Sequence, residues 1–336
     1  MSQANGMADS FRPRGKRAWS DRWIWGVFSG ELILPLLSSD YWTLRIIMFA
    51  NVFVIYAITY DLLAGYTGLI SFGHSLFFGG AGYVSGLISL NLGWPLIVCV
   101  VAGCIASLIF GLLLGYICLR LRGPYLAVVT LICPLVMMTI LHLSPTFLGG
   151  DNGIAGFAQL AGGSLIGQFY TILLVTMVSL VIILWLARGN LGLILKAIRE
   201  DELGAEAAGI NTTKYKVLAF VISGVFAGLA GTLYVHAMGS VAPTTLSPHY
   251  SILPVIMIFL GGAASIVGPA IGAYVITLLD LYLIAFPYIR VIIYAAIIVA
   301  VLRFIPGGLM AVPAEIRRYM KWRSLTSEGS IKTSAG

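Results

Sequence analysis

The residues best suited to chemistry gather in one short stretch. KAIREDELGAEAAGI, residues 196–210, carries six charged side chains in fifteen positions: Lys196, Arg199, Glu200, Asp201, Glu202 and Glu206. Only 10% of the 336 residues of the whole chain are charged. The stretch has no nucleophile–base pair and no metal-ligand spacing, so its chemistry is recognition through ion pairs and docking. On a helix, Lys196 and Glu200 stand at i,i+4, and Arg199 and Glu202 at i,i+3. Ile194, Ile198, Ala205 and Ala208 recur on one side, and Gly209 is a natural C-terminal stop. Asn211, Thr212 or Thr213 can cap whatever helix follows. The pattern predicts one short amphipathic helix, a turn, and then an apolar helix. Gly204, Ala205, Ala207 and Ala208 would let another surface approach closely. A solvated loop, or a helix lying on the membrane, is the plainer reading. Four acidic residues facing an anionic leaflet would be repelled, which favours docking to a partner protein.

Catalytic constellations are missing from the rest of the sequence. His74, His142, His236 and His249 are scattered, with no H-E-x-x-H and no Ser/His/Asp order. No G-x-x-x-x-G-K-[ST] occurs, so ATP is not bound here through a P-loop, and no cofactor or metal is expected in this chain. Cys99, Cys104, Cys118 and Cys133 lie in apolar runs and read as small packing residues. Glu31, Asp61, Asp280 and Arg290 fall in or near apolar runs, where ionisable groups are functional candidates by default. Asp61, Asp280 and Arg290 stand near expected helix ends and read as interfacial or packing groups. GLISFG (68–73) followed by GAGY (80–83) has an echo in GGAASIVG (261–268) followed by GAY (272–274). Transporters often repeat Gly-interrupted segments near their substrate path. Gly68, Ser71, Gly73, His74, Gly261, Gly262, Ser265 and Gly268 are therefore candidates to line a path, with helix packing as the alternative role.

The elements that must position these residues follow from composition. With 59% hydrophobic residues and a mean hydropathy of +0.98, the chain is a polytopic all-α membrane protein rather than a soluble domain. A β-barrel would show short alternating strands instead. Its 39 glycines suit closely packed membrane helices. The net charge of +7 reads as basic loops on the cytoplasmic side, not as a nucleic-acid surface. Apolar runs are expected over 23–37, 43–63, 66–90, 95–119, 125–143, 168–187, 215–236, 251–262, 269–286 and 288–304. Placing the N-terminal tail, Arg120 and Arg122, 188–216 and the C-terminal tail on one side requires 251–286 to dip in and return. That gives about ten spans with both termini cytoplasmic. The expected division is an uncleaved tail (1–22), a transmembrane domain (23–305) containing the charged segment 189–214, and a second tail (306–336).

Several of these motifs together resemble a known family. AIREDELGAEAAGI is similar to the segment by which permeases of ATP-driven (ABC) importers contact their ATPase, specifically the branched-chain amino acid permeases of the LivM type. GYTGLISFGHSLFFGGAGY (65–83), LGGDNGIAGF (148–157), AFVISGVFAGLAGTLY (219–234) and SILPVIMIFLGGAASIVGPAIGAY (251–274) resemble that family's other motifs, so the likeness covers roughly 40–310. It implies one subunit of a bacterial inner-membrane importer. A second related permease, two ATP-binding subunits and a periplasmic binding protein would be its partners, with a small-molecule substrate crossing by alternating access. Arg199, Glu200, Asp201, Glu202, Ala205, Glu206, Ala208 and Gly209 would form the ATPase-coupling surface. Asp61, where Asn is commoner in the family, also resembles urea-type permeases. A urea or short-amide importer is the alternative substrate reading, and a stand-alone secondary transporter the alternative class.

Overall fold

The computed structural model describes residues 26, 28–35, 40–118, 124–283, 286–304 and 308–310. The expected tail 1–22, Arg120, Arg122, most of 306–336 and the side chains of Cys118 and Arg290 lie outside this description. The helices are α1 (Tyr41–Tyr60), α2 (His74–Leu92), α3 (Leu96–Cys118), α4 (Pro124–His142), α5 (Leu165–Arg188), α6 (Asn190–Glu200), α7 (Glu202–Ala207), α8 (Thr212–Met238), α9 (Pro248–Gly261), α10 (Val267–Tyr282) and α11 (Pro287–Phe304). Six of them, α1 to α5 and α8, are long and apolar enough to cross a membrane; α9, α10 and the described part of α11 are shorter. Among the described residues, six of the roughly ten expected crossings are met by length and composition.

The order of burial defines the layers. In an 18-residue apolar window of Tyr41–Gly65, 83% of residues are buried, against 22% in the corresponding windows of α3 and α4. Thus α1 is the axis of the bundle, with α5, α8, α9 and α10 packed around it. Leu108, Ile109, Val136 and Ile140 on α3 and α4 face outward, as lipid-facing surfaces do.

Three sequence expectations change here. The third run begins as helix at His74, not at 66, because Gly68 turns the chain with φ 77°. The loop after α4 is not wholly irregular: Ile154–Ala155 pairs antiparallel with Ser240–Val241, a small ribbon in an otherwise helical protein. Among the three candidate caps for α8, Asn211 is the one, its Oδ1 accepting the Lys214 N–H at 2.9 Å.

Polar side chains tie helices where lipid offers no partner. His236 accepts from the Ser85 hydroxyl at 2.7 Å and donates Nδ1–H to the Ala158 carbonyl at 2.6 Å, joining α8, α2 and the loop before α5. Small residues do the rest: a Cβ placed on Gly231 of α8 would lie 1.9 Å from the Phe78 carbonyl oxygen of α2. Gly231→Val should therefore lower stability by about 1–3 kcal/mol or more. Thermal unfolding of the purified chain in detergent measures this, and an unchanged midpoint would mean that α2 and α8 are not in backbone contact.

Candidate functional site: a charged unit joined to two chain breaks

The charged stretch folds as two helices rather than the one expected. Asp201 is extended (φ −152°, ψ 102°), ends α6, and caps α7 by accepting the Gly204 N–H. Asp prefers this role because its short carboxylate satisfies a free helix N–H. The break separates Arg199 from Glu202, so the expected i,i+3 pair does not form within one helix. Glu202 instead pairs with Lys216 on α8, and Glu206 accepts from the Thr212 hydroxyl at 2.6 Å. These two bonds pin α7 against the start of α8. The acidic face is consequently smaller than its composition implies: Asp201, Glu202 and Glu206 are all engaged inside the unit. What α7 presents outward is Leu203, 72% exposed, beside Ala207, Ala208 and Gly209. Ala205 is buried, and Glu200 is exposed on the last turn of α6.

The inner face of α6 meets the bundle. Leu195 and Ile198 are buried. The Arg199 guanidinium donates to the Gly65 carbonyl, and Lys196 Nζ lies 4.5 Å over the Tyr66 ring. Gly65 closes a π-turn, Asp61–Gly65, that ends α1. A Cβ on Gly68, just beyond it, would stand 3.3 Å from Arg199 Cγ. So α6 is seated directly under the first chain break, the segment 66–73 that precedes α2.

The second break, 262–266, lies against the same π-turn. Asp61 is fully buried, and its two carboxylate oxygens accept the N–H groups of Ala264 (2.7 Å) and Ile266 (2.9 Å). Both accepted N–H groups belong to residues in left-handed conformations, φ 59° for Ala264 and φ 60° for Ile266. A β-branched residue at positive φ is costly, and it persists only where surrounding contacts hold it. The carboxylate supplies that hold. The Gly65–Ala264 approach and the Arg199–Gly65 bond therefore place the charged unit and both Gly-interrupted segments in one contiguous junction.

The expected path residues divide between these two breaks. Ser71 Oγ accepts the Gly73 N–H at 3.2 Å, and Gly73 packs against Thr130 of α4. Ser265 Oγ donates to the Gly262 carbonyl and accepts the Gly268 N–H, forming the turn into α10. Gly261 and Gly268 bring the backbones of α9 and α10 together; a Cβ on Gly261 would be 1.9 Å from the Gly268 oxygen. His74 is fully buried. Ser223 gives its only hydrogen to the Thr59 carbonyl (2.8 Å), so His74 Nε2–H donates to Ser223 Oγ at 2.7 Å. Among the described residues His74 Nδ1 has no hydrogen-bond partner, and the Tyr60 ring lies 4.5 Å from the His74 ring. Among the described residues no group of three or more His, Cys, Asp or Glu is arranged to hold a metal. Of the interfacial or packing role expected for Asp61, the structure shows packing, with backbone N–H groups as the partners.

Residues 42–302 match the family described as the permease component of branched-chain amino acid transport systems. The chain belongs to that family. This permease is 29% identical over 242 residues to the high-affinity branched-chain amino acid transport system permease protein LivM of Salmonella typhimurium, covering 64% of this chain and 57% of the relative. The Escherichia coli K12 protein of the same name is 29% identical over 252 residues, 66% and 59% of the two chains. The fructose import permease protein FrcC of Rhizobium meliloti is 27% identical over 216 residues, 59% and 58%. The match spans less than two thirds of the length of each of these relatives. No solved structure matches the permease.

Removing the Asp61 carboxylate leaves two buried N–H groups unpaired, each costing about 1–3 kcal/mol. Asp61→Ala should be severely destabilised and Asp61→Asn less so, since Asn keeps one acceptor oxygen. Unfolding of the permease in detergent checks this ranking. Wild-type stability in Asp61→Ala would remove the carboxylate from the junction.

Proposed function

We propose that this chain is the membrane-spanning permease subunit of an ATP-driven importer for branched-chain or other hydrophobic amino acids. The α6–α7 unit is the dock for separate ATPase subunits on the cytoplasmic side. The observation that carries the reading is the junction: a surface-exposed helical pair bonded through Arg199 to Gly65 and, through the adjoining Asp61, to the turn between α9 and α10. A push on α7 reaches both chain breaks without crossing a flexible segment. ATP binding that closes an ATPase pair would thereby shift the helices around the path, an equilibrium biased by differential binding to two states.

The remaining parts of the machine follow from this role. A second related permease completes the path, two ATP-binding subunits supply hydrolysis, and a periplasmic binding protein delivers the solute. The chain sits in a bacterial inner membrane with both termini cytoplasmic. The breaks at Gly68–His74 and Gly261–Gly268 move against one another during alternating access, Ser71 and Ser265 acting as their internal caps. The relatives named LivM support an amino acid as substrate, and another similar protein carries the name of a fructose import permease. A stand-alone carrier would need no exposed dock.

Leu203→Ser removes an exposed apolar side chain from the dock, and Gly209→Leu forces a side chain onto a residue at φ 85°. Leu203→Ser should leave folding intact and cut ATP-driven uptake several-fold in membrane vesicles. Gly209→Leu should do the same with a fold cost of about 1–2 kcal/mol. Normal uptake in both would remove α7 from the coupling path. Gentle purification from the native membrane tests the class directly: two ATP-binding subunits should accompany the chain, and ATP-independent transport by the chain alone would replace this reading with that of a secondary carrier.

A further inference from the structure

A second buried carboxyl, Glu31, has partners of a different kind from those of Asp61. It lies in the helical residues 28–35 and is 6% exposed. Asn51 of α1, itself buried, donates its Nδ2–H to Glu31 Oε2 at 2.8 Å. The same amide nitrogen donates to the Ile47 carbonyl at 3.1 Å. A carbonyl oxygen can only accept, so Nδ2 faces Ile47 and Oδ1 faces the other way. Asn51 Oδ1 accepts the Tyr274 hydroxyl of α10 at 3.0 Å. Tyr274 is also within hydrogen-bond reach of the Glu31 carboxyl. Glu31, Asn51 and Tyr274 therefore close a ring that joins residues 28–35, α1 and α10. Thr176 of α5 braces it by donating to the Asn51 carbonyl at 3.2 Å.

The hydrogens of this ring can be followed one by one. Asn51 gives one amide hydrogen to Glu31 and the other to Ile47. Tyr274 has a single hydroxyl hydrogen and gives it to Asn51. The remaining side, between Glu31 and the Tyr274 oxygen, needs a third hydrogen, and only Glu31 can supply it. An ionised carboxylate would either face the lone pairs of Tyr274 or take its hydrogen and leave Asn51 Oδ1 without that donor. No neighbour offsets the charge. Among the described residues, no lysine, arginine or histidine lies within ion-pair distance of Glu31, and no charged side chain of α1, α5 or α10 acts on it. The titratable side chains around it are Tyr274 and, bonded to the Leu32 carbonyl, Tyr170 of α5. A buried carboxylate without a charged partner is costly, and a neutral acid removes that cost. At Asp61, by contrast, both oxygens receive N–H donors and no bond calls for a proton.

We propose that Glu31 is a proton-binding site. The bound proton sits on the carboxyl, points to the Tyr274 oxygen, and fastens residues 28–35 to α10 across α1. Since α10 leads out of the break at 262–266, loss of the proton releases the middle of α10 while Asp61 still holds its start. The site is a property of the chain itself and goes beyond the importer reading.

The test is infrared spectroscopy of the full chain in lipid nanodiscs at neutral pH, with isotopically labelled glutamate. Ordinary glutamates titrate near pH ~4.3 and are ionised there. A labelled protonated-carboxyl band should be present in wild type and absent in Glu31→Gln. It should move to higher wavenumber in Tyr274→Phe, which removes the acceptor of the proton. No such band in wild type, or one that survives Glu31→Gln, would overturn the site. Glutamine reproduces the neutral acid, its N–H donating to Tyr274 and its oxygen accepting from Asn51, so Glu31→Gln should fold. Between about pH 5 and about pH 7 the folded wild type keeps a proton that its unfolded chain releases, so its stability falls as pH rises. Its unfolding constant in detergent should therefore rise about tenfold per pH unit relative to that of Glu31→Gln. Equal slopes, or a Glu31→Gln chain that does not fold, would equally count against the proton site.

Discussion

The two oxygens of Asp61 tie the end of α1 to the turn between α9 and α10. Each accepts a backbone N–H from a residue in a left-handed conformation, and those residues make the turn between α9 and α10. Without the carboxylate, that turn has neither a reason to adopt its strained angles nor partners for its buried donors. With it, the end of α1, the start of α10 and the helix beneath them share one anchor. The anchor is electrostatic and directional, which matters in a bilayer. Lipid supplies no hydrophobic force between helices, so specific bonds and close backbone contacts must do the positioning. The Arg199 bond to Gly65, one turn from Asp61, extends the anchor to the charged unit.

Much of this was readable from the residues, and the failures have physical causes. The polytopic helical class follows from composition alone. The charged stretch at 196–210 and the two Gly-rich breaks are visible as departures from an apolar background, and the structure brings them together. What periodicity could not reveal was the split at Asp201. An acidic residue inside a charged helix and an acidic N-cap look alike until the backbone is seen. The role of Asp61 was hidden for a related reason. Its partners are 203 and 205 residues away and are backbone groups, so no side-chain pattern announces them. The inward pairing of Glu202 and Glu206 likewise depends on Lys216 and Thr212 swinging round from α8.

Glycine and serine serve two ends here. In the bundle they let backbones touch, as at Gly231 and at Gly261 with Gly268. At the breaks they supply turns and small caps, as Ser71 and Ser265 do. The same composition thus brings the backbones of α2 and α8 into contact and interrupts the helices at two places.

The short α9 has a consequence for how the chain is made. It has 14 residues, about 21 Å of helix, whereas crossing the hydrocarbon takes about 20 residues. Its first turn is tied to the middle of α1, where the Tyr56 hydroxyl bonds the Tyr250 carbonyl, and the preceding turn is received by α2, where Ser75 bonds the Leu246 carbonyl. Left alone in lipid, such a segment would expose unpaired backbone groups and be rejected. Its partners on α1, α2 and α8 precede it in the chain, whereas α10, its most extensive neighbour, follows it. Part of the surface that receives α9 is therefore made before it, and the rest is added only with α10.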